Sequence, residues 1–141
     1  MTHGLNLHVY PSPITHESRM LKLTKCIGEL GLFDRVVLVG MWREGLEEHE
    51  EIDENRVIWR VKTSTDGVRL FSRLDRIINV WEWKWRIARR FGDEKIGMIN
   101  CHNLATLPLG LNFKRRQGSK LVYDTHELET ERGWPWLVAQ Y

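Results

Sequence analysis

Two spacings of apolar residues alternate along the chain. Leu5-Asn6-Leu7-His8-Val9-Tyr10 places apolar side chains at every second position and halts at Pro11-Ser12-Pro13, the pattern of a short strand. Over residues 17–30 the spacing widens to three and four. Met20, Leu21, Leu23, Thr24, Ile27 and Leu30 share one helical face there, and Gly31 is placed to cap it. Arg35-Val36-Val37-Leu38-Val39-Gly40 is a continuous apolar run, expected of a strand covered on both faces. Val57-Ile58-Trp59-Arg60-Val61 predicts a third strand. A long helical pattern occupies 68–91, and residues 96–100, 104–117 and 120–123 then read as strand, helix and strand, with Gly118 ending the helix.

Strands alternating with helices predict an α/β fold: an open, mostly parallel, doubly wound (Rossmann-like) sheet with helices on both faces. Such sheets bind ligands beyond the carboxyl ends of their strands. The stretches to watch are therefore 11–16, 40–43, 63–67, 101–103 and 124–127. At 141 residues the chain is expected to form a single domain.

Composition narrows the function classes. Hydrophobic residues make up 42% and charged residues 28%, which is globular rather than disordered composition. A net charge of +2 implies no nucleic-acid partner. Two cysteines without paired spacing, Cys26 and Cys101, fit a reducing compartment. The start lacks the basic and apolar segments of a signal peptide, and no apolar run reaches the roughly 20 residues that span a bilayer. The expected location is the cytoplasm, with peripheral attachment to the inner membrane surface as the closest approach to lipid.

The charges are unevenly spread. The acidic run Glu47-Glu48-His49-Glu50-Glu51-Ile52-Asp53-Glu54 reads as a solvated loop or short helix. In the long helix, Leu70, Leu74, Ile77, Ile78, Trp81, Trp85, Ala88 and Phe91 form the expected apolar face, and Arg69, Arg76, Arg86 and Arg90 lie opposite with Trp83 among them. Residues 68–91 carry seven basic and two acidic side chains, a local +5 that leaves the remaining chain at −3. One reading is a core helix with a solvated basic back. The other is docking on an anionic membrane surface through Trp83, Arg86 and Arg90.

The strand ends hold the candidate chemistry. His126 and Glu127 stand at the end of the last strand, where His126 either hydrogen-bonds a substrate hydroxyl or satisfies a crowded loop. Cys101-His102-Asn103 leads into a helix, so Asn103 is an N-cap candidate and the helix start could favour a phosphate or sugar oxygen. The histidines and cysteines lack zinc-ligand spacing, and no metal is expected. The loop from Pro11 through Pro13 to His16 contains no Gly-x-Gly-x-x-Gly, which argues against an NAD-dependent enzyme. Thr15 or His16 could cap the following helix. Arg19 in its first turn is either a surface arginine or a partner for an acceptor phosphate.

Asn100-Cys101-His102, then Leu104-Ala105-Thr106-Leu107-Pro108-Leu109-Gly110-Leu111, Lys114-Arg115-Arg116 and Lys120-Leu121-Val122-Tyr123-Asp124-Thr125-His126-Glu127-Leu128 resemble the N-terminal domain of family-four, group-one glycosyltransferases. The order of earlier elements extends the resemblance over nearly the whole chain. It implies the GT-B architecture, in which two Rossmann-like domains face each other and a sugar passes from a nucleotide donor to an acceptor with retention and without a metal ion. Residues 1–141 would be the acceptor-side half, inactive alone, and the C-terminal donor domain would be absent. No cofactor is implied beyond the nucleotide-sugar substrate, and the partner would be a glycan or lipid-linked acceptor. By the same resemblance, His126 matches the cleft histidine near the donor sugar. Pro13, Thr15, His16 and Arg19 match the acceptor-side loop and helix start, with His102, Asn103 and Glu127 beside them. The first loop carries Pro-Ser-Pro where many relatives carry Gly-Gly, and Asn103 stands where many carry an acid. Trp134-Pro135-Trp136-Leu137 opens a fresh apolar stretch, so the chain is expected to be one half of a longer enzyme. The alternative is a non-catalytic acceptor- or membrane-binding subunit of a two-chain glycosyltransferase.

Overall fold

In the computed structural model, which describes residues 3–66 and 73–124, all five strand-like runs pair into one open sheet and a sixth strand joins them. The elements in chain order are β1 (Leu5–Val9), α1 (Ser18–Glu29), β2 (Arg35–Met41), β3 (His49–Asp53), β4 (Arg56–Val61), α2 (Arg73–Arg90), β5 (Ile96–Cys101), a 3-10 turn (Leu104–Thr106), α3 (Leu107–Gln117) and β6 (Lys120–Tyr123). The sheet order is β3-β4-β2-β1-β5-β6, parallel throughout except for the β3–β4 pair. The chain moves outward from β1 to β2 and β4, then returns to place β5 on the other flank of β1. Strand order therefore reverses between β1 and β5.

Residue parity assigns the two faces of the sheet. Val36, Leu38 and Ile58 pack with Ile14 and with Met20 of α1 on one side. Leu7, Val9, Val37, Val39, Ile99 and Cys101 pack on the other with Trp83 and Ile87 of α2 and with Leu109 and Phe113 of α3. This is why Val36, Val37, Leu38 and Val39 form an unbroken apolar run: alternate side chains serve different layers. Gly118 closes α3 at φ 71, a left-handed cap that an L side chain resists.

The acidic run is not a helix, and only its ends, Glu47, Glu48 and Glu54, lie in loop or turn. His49–Asp53 forms β3, antiparallel to β4 at the edge of the sheet. Neighbouring cations hold its carboxylates: Lys62 lies 2.5 Å from Glu48, Arg60 2.7 Å from Glu50, Arg35 2.6 Å from Glu51 and Arg56 2.7 Å from Asp53. The repulsion that predicts a solvated loop is thereby offset. A charged outer strand also resists pairing with a further chain.

The expected apolar face of α2 is divided: Phe91 is buried and Ala88 packs against the core, whereas Leu74, Ile78, Trp81 and Trp85 point outward. Leu74, Ile78, Trp81 and Trp85 are 64%, 48%, 66% and 49% exposed, whereas Trp83, expected on the basic back, is fully buried. Its indole Nε1–H donates to the Gly40 carbonyl at 2.9 Å. The helix carries two apolar stripes on opposite sides. The narrower one, Trp83 with Ile87, faces the sheet because it fills the core and satisfies a strand-end carbonyl at once. Trp83 therefore does not belong to a membrane-facing surface, while Arg86 and Arg90 remain exposed. Leu70 and Arg69 lie outside the described residues. Among the described residues no helix is long and apolar enough to cross a membrane.

Candidate functional site

The loop after β1 is tied down from several sides. Ser12 accepts the Met41 N–H at 2.8 Å, so the loop lies directly over the end of β2. A Cβ at Gly40 would come 2.5 Å from the Ser12 carbonyl oxygen, and only glycine permits this approach. Arg60, 2% exposed, donates to the carbonyls of Pro13 at 2.6 Å, Ile14 at 3.2 Å and Glu47 at 2.9 Å, as well as to Glu50. Ile14 is held at φ 53, unfavourable for a β-branched residue, with its side chain buried among Met20, Val36, Leu38 and Ile58. Strain of this kind costs roughly 1–3 kcal/mol and persists where surrounding contacts over-determine the backbone. The loop then turns into α1 through Glu17. That carboxylate accepts from the Ser12 hydroxyl and, at 2.9 Å, from the His16 N–H. Burial pulls the Glu17 carboxyl upward, but these hydrogen bonds outweigh it and leave the group below its ordinary range.

Beside this loop, at the reversal of strand order, a line of polar side chains enters the sheet. Arg19 lies 3.2 Å from Asp124 Oδ1, and Asp124 Oδ2 lies 3.4 Å from His102 Nδ1. His102 Nε2 is 2.8 Å from His8 Nδ1, and His8 Nε2 is 3.3 Å from the Asn100 amide nitrogen. That amide also faces Asn6 Oδ1 at 3.2 Å and the Leu7 carbonyl at 3.3 Å. The inner end fixes the direction of every bond. The Asn100 amide nitrogen only donates, which makes His8 Nε2 an acceptor. That leaves His102 Nε2 to accept from the other nitrogen of that ring, with His102 Nδ1–H toward Asp124. His8 then donates from Nδ1 and accepts the Asn100 N–H at Nε2. Burial, reinforced by the neighbouring His102, lowers the His8 pKa to about 3, so this ring stays neutral.

Backbone bonds hold the same frame. The N–H groups of Tyr10, His102 and Asp124 donate to Val39, Val9 and Cys101, continuing the parallel ladder past the strand ends. The outer members of the line meet solvent: Arg19 is 66% and Asp124 20% exposed at the side chain, while His102 is fully enclosed. A small hollow of about 240 Å³ adjoins them, lined by Tyr10, His16, Glu17, Ser18, Arg19 and Met20.

Of the residues expected at a site, Arg19 lies at this mouth, and His16 lines the adjoining hollow. His102 is enclosed behind Asp124, with its Nδ1 3.4 Å from the Asp124 carboxylate. Pro13 contributes a carbonyl to Arg60, and Thr15 is half-buried in the same loop. The Asn103 side chain accepts from the Ala105 N–H at 2.7 Å, the capping role open to it, at the start of the 3-10 turn. His126 and Glu127 lie outside the described residues. Trp83, Arg86 and Arg90 are on α2, where Trp83 is buried against the Gly40 carbonyl and Arg86 and Arg90 are exposed.

No family model matches the chain, and no curated protein matches it. Chemical inference therefore rests on the geometry. Arg19 offers a planar charged donor, Asp124 an acceptor, and the line behind Asp124 keeps it oriented. Such a pair suits recognition of hydroxyl-rich or anionic groups. Cys101 is an unsuitable nucleophile: burial raises its thiol to about 11. Sequence reasoning passed over His8, Asn100 and Arg60 as site-forming residues, and marked Asp124 only as part of the 124–127 stretch. The available signal was polar Asn6 and His8 on alternate positions of a strand that both layers cover.

Proposed function

We propose that this chain is the acceptor-side domain of a two-domain, GT-B-type glycosyltransferase, with a Rossmann-like winding of its sheet. Such an enzyme passes a sugar from a nucleotide donor to a glycan or lipid-linked acceptor, retaining configuration and using no metal. The observation that carries the reading is the Arg19–Asp124 pair, backed by His102 and His8 at the strand-order reversal. That is where open parallel sheets receive ligands, and a charged donor beside a fixed carboxylate suits a polyhydroxyl acceptor. Asp124 in this reading accepts from an acceptor hydroxyl, Arg19 donates to a neighbouring oxygen, and the donor half supplies the opposite wall. His126 and Glu127 would complete the near wall by the family resemblance.

The test is binding of the 141-residue chain to an array of glycans and lipid-linked saccharides. Binding to at least one acceptor is expected. It should weaken at least tenfold in Arg19→Ala and Asp124→Asn, with unchanged circular dichroism. Absence of binding, or equal binding by wild type and both variants, removes the reading. In the full two-domain enzyme, His126→Ala is expected to lower turnover at least tenfold without lowering Tm. A second reading, a non-catalytic subunit that recruits acceptor or membrane, is favoured by the large apolar side chains exposed on α2.

A further inference from the structure

Leu74, Ile78, Trp81 and Trp85 follow one another at four, three and four residues. At about 3.6 residues per turn they fall within an arc of roughly 60°, directly opposite Trp83. All four are large and substantially exposed. Single exposed apolar residues are ordinary, but a continuous stripe over three turns marks a surface that meets something other than water. Cations border it on both sides: Arg73 and Lys84 along one flank, Arg86 and Arg89 along the other. The whole helix carries six basic and two acidic side chains, a surplus of four positive charges.

Next to the stripe lies a hollow of about 460 Å³ between α2 and β4. Trp59, Lys62, Trp85, Arg86, Arg89 and Arg90 are among its lining residues, with Glu48 the acid there. Three of these cations hold carboxylates: Lys62 with Glu48, Arg86 with Glu82 at 2.8 Å and Arg90 with Glu94 at 3.1 Å. Arg89 instead stacks 5.4 Å from the Trp85 ring and has no ion pair among the described residues. An arginine held over an exposed tryptophan, above a hollow of further cations, joins an anion site to an apolar edge.

We propose that the outer face of α2 docks on an anionic membrane surface, with Leu74, Ile78, Trp81 and Trp85 entering the interfacial layer and the hollow around Arg89 receiving lipid phosphate. Tryptophan and leucine on one face, with arginine and lysine on its flanks, match the chemistry of the headgroup boundary. Lipid phosphate complements the positive rim. A second copy of this face does not, because a two-fold pairing would set the arginines of one copy against those of the other. Docking of this face on lipid requires no sugar chemistry at the strand-end mouth.

The 141-residue chain is sedimented with vesicles of equal parts phosphatidylglycerol and phosphatidylcholine, and with phosphatidylcholine vesicles alone. Binding to the anionic vesicles is expected to be at least tenfold tighter and to weaken as salt is raised. The double variant Trp81→Ser with Trp85→Ser should lose at least tenfold in affinity at unchanged Tm. The variant Arg86→Glu with Arg89→Glu should lose a similar factor and much of the salt dependence. Equal binding to both vesicle types, or undiminished binding by the tryptophan variant, overturns the proposal. So does a tryptophan variant that melts several degrees lower, because the stripe would then be covered within the chain. A dimer that the tryptophan variant dissolves would assign the face to a second copy, also against the proposal.

Discussion

Trp83 and Trp85 stand two positions apart on α2 and have opposite surroundings. Trp83 has no exposed surface and donates to the Gly40 carbonyl, while Trp85 is half open and lies beneath Arg89. β1 shows the complementary inversion: Asn6 and His8 are fully buried while bearing polar atoms, held in a line that runs out to Asp124. Apolarity alone therefore does not sort this molecule into inside and outside. A large side chain goes inward where a partner meets its polar atom, and an apolar stripe stays outward where the opposite stripe already covers the sheet. The two inversions fall on the two surfaces assigned roles above, the strand-end mouth and the outer face of α2.

The comparison is most easily broken at the tryptophans. Trp83→Ala would leave a cavity between α2 and the sheet and an unmet carbonyl at Gly40, and is expected to cost about 3–5 kcal/mol. Trp85→Ala removes mostly exposed surface and should change stability by no more than about 0.5 kcal/mol. Urea unfolding of the two variants measures both. Losses of similar size would mean that Trp85 is covered in solution, and the distinction between the two faces would fail.

The fold was largely legible because its strands are short apolar runs bounded by clear punctuation. The 35–40 run, the halt at Pro11-Ser12-Pro13 and the cap at Gly118 each carry a local physical signal. What escaped depends on partners distant in sequence. The acidic run at 47–54 becomes a strand only because β4 and its cations lie beside it. The inner stripe of α2 is chosen by a carbonyl 43 residues away. His8 and Asn100 meet because β1 and β5 are neighbours in register, across 92 residues of chain. Arg60 reads as one polar residue in a strand, yet it fixes the loop that shapes the mouth. Periodicity reports which faces a segment has, and the tertiary pairing decides which face is used.

The buried line predicts a pH dependence. The unfolded chain binds a proton at His8 near its ordinary pKa of 6.5, whereas the folded ring does so only near 3. Between these values the unfolded state holds more protons, so stability is lost as pH falls from 6.5 toward 3. From pH 6.5 to 5, a window above the ordinary carboxylate range, the slope should approach about 1 kcal/mol per pH unit. His8→Gln keeps a polar side chain without the titration and should flatten that slope. Urea midpoints at closely spaced pH values decide it. A wild-type profile already flat over the window would place a charged ring inside the sheet and reverse the direction of the hydrogen bonds.

The smallest effect is expected at the outer end of the same line. Arg19 is mostly exposed and Asp124 partly so, and their ion pair is open to salt. Exposed pairs of this kind contribute about 0–1 kcal/mol to stability. A double-mutant cycle on Arg19→Ala and Asp124→Asn should therefore give a coupling energy under about 1 kcal/mol. The asparagine variant still offers His102 an oxygen acceptor, which keeps the inner line intact. Coupling above about 2 kcal/mol would make the pair a structural clasp between α1 and the end of β6. Small coupling, together with a large loss of acceptor binding in the same variants, is the signature of groups held at the mouth for a ligand rather than for the fold.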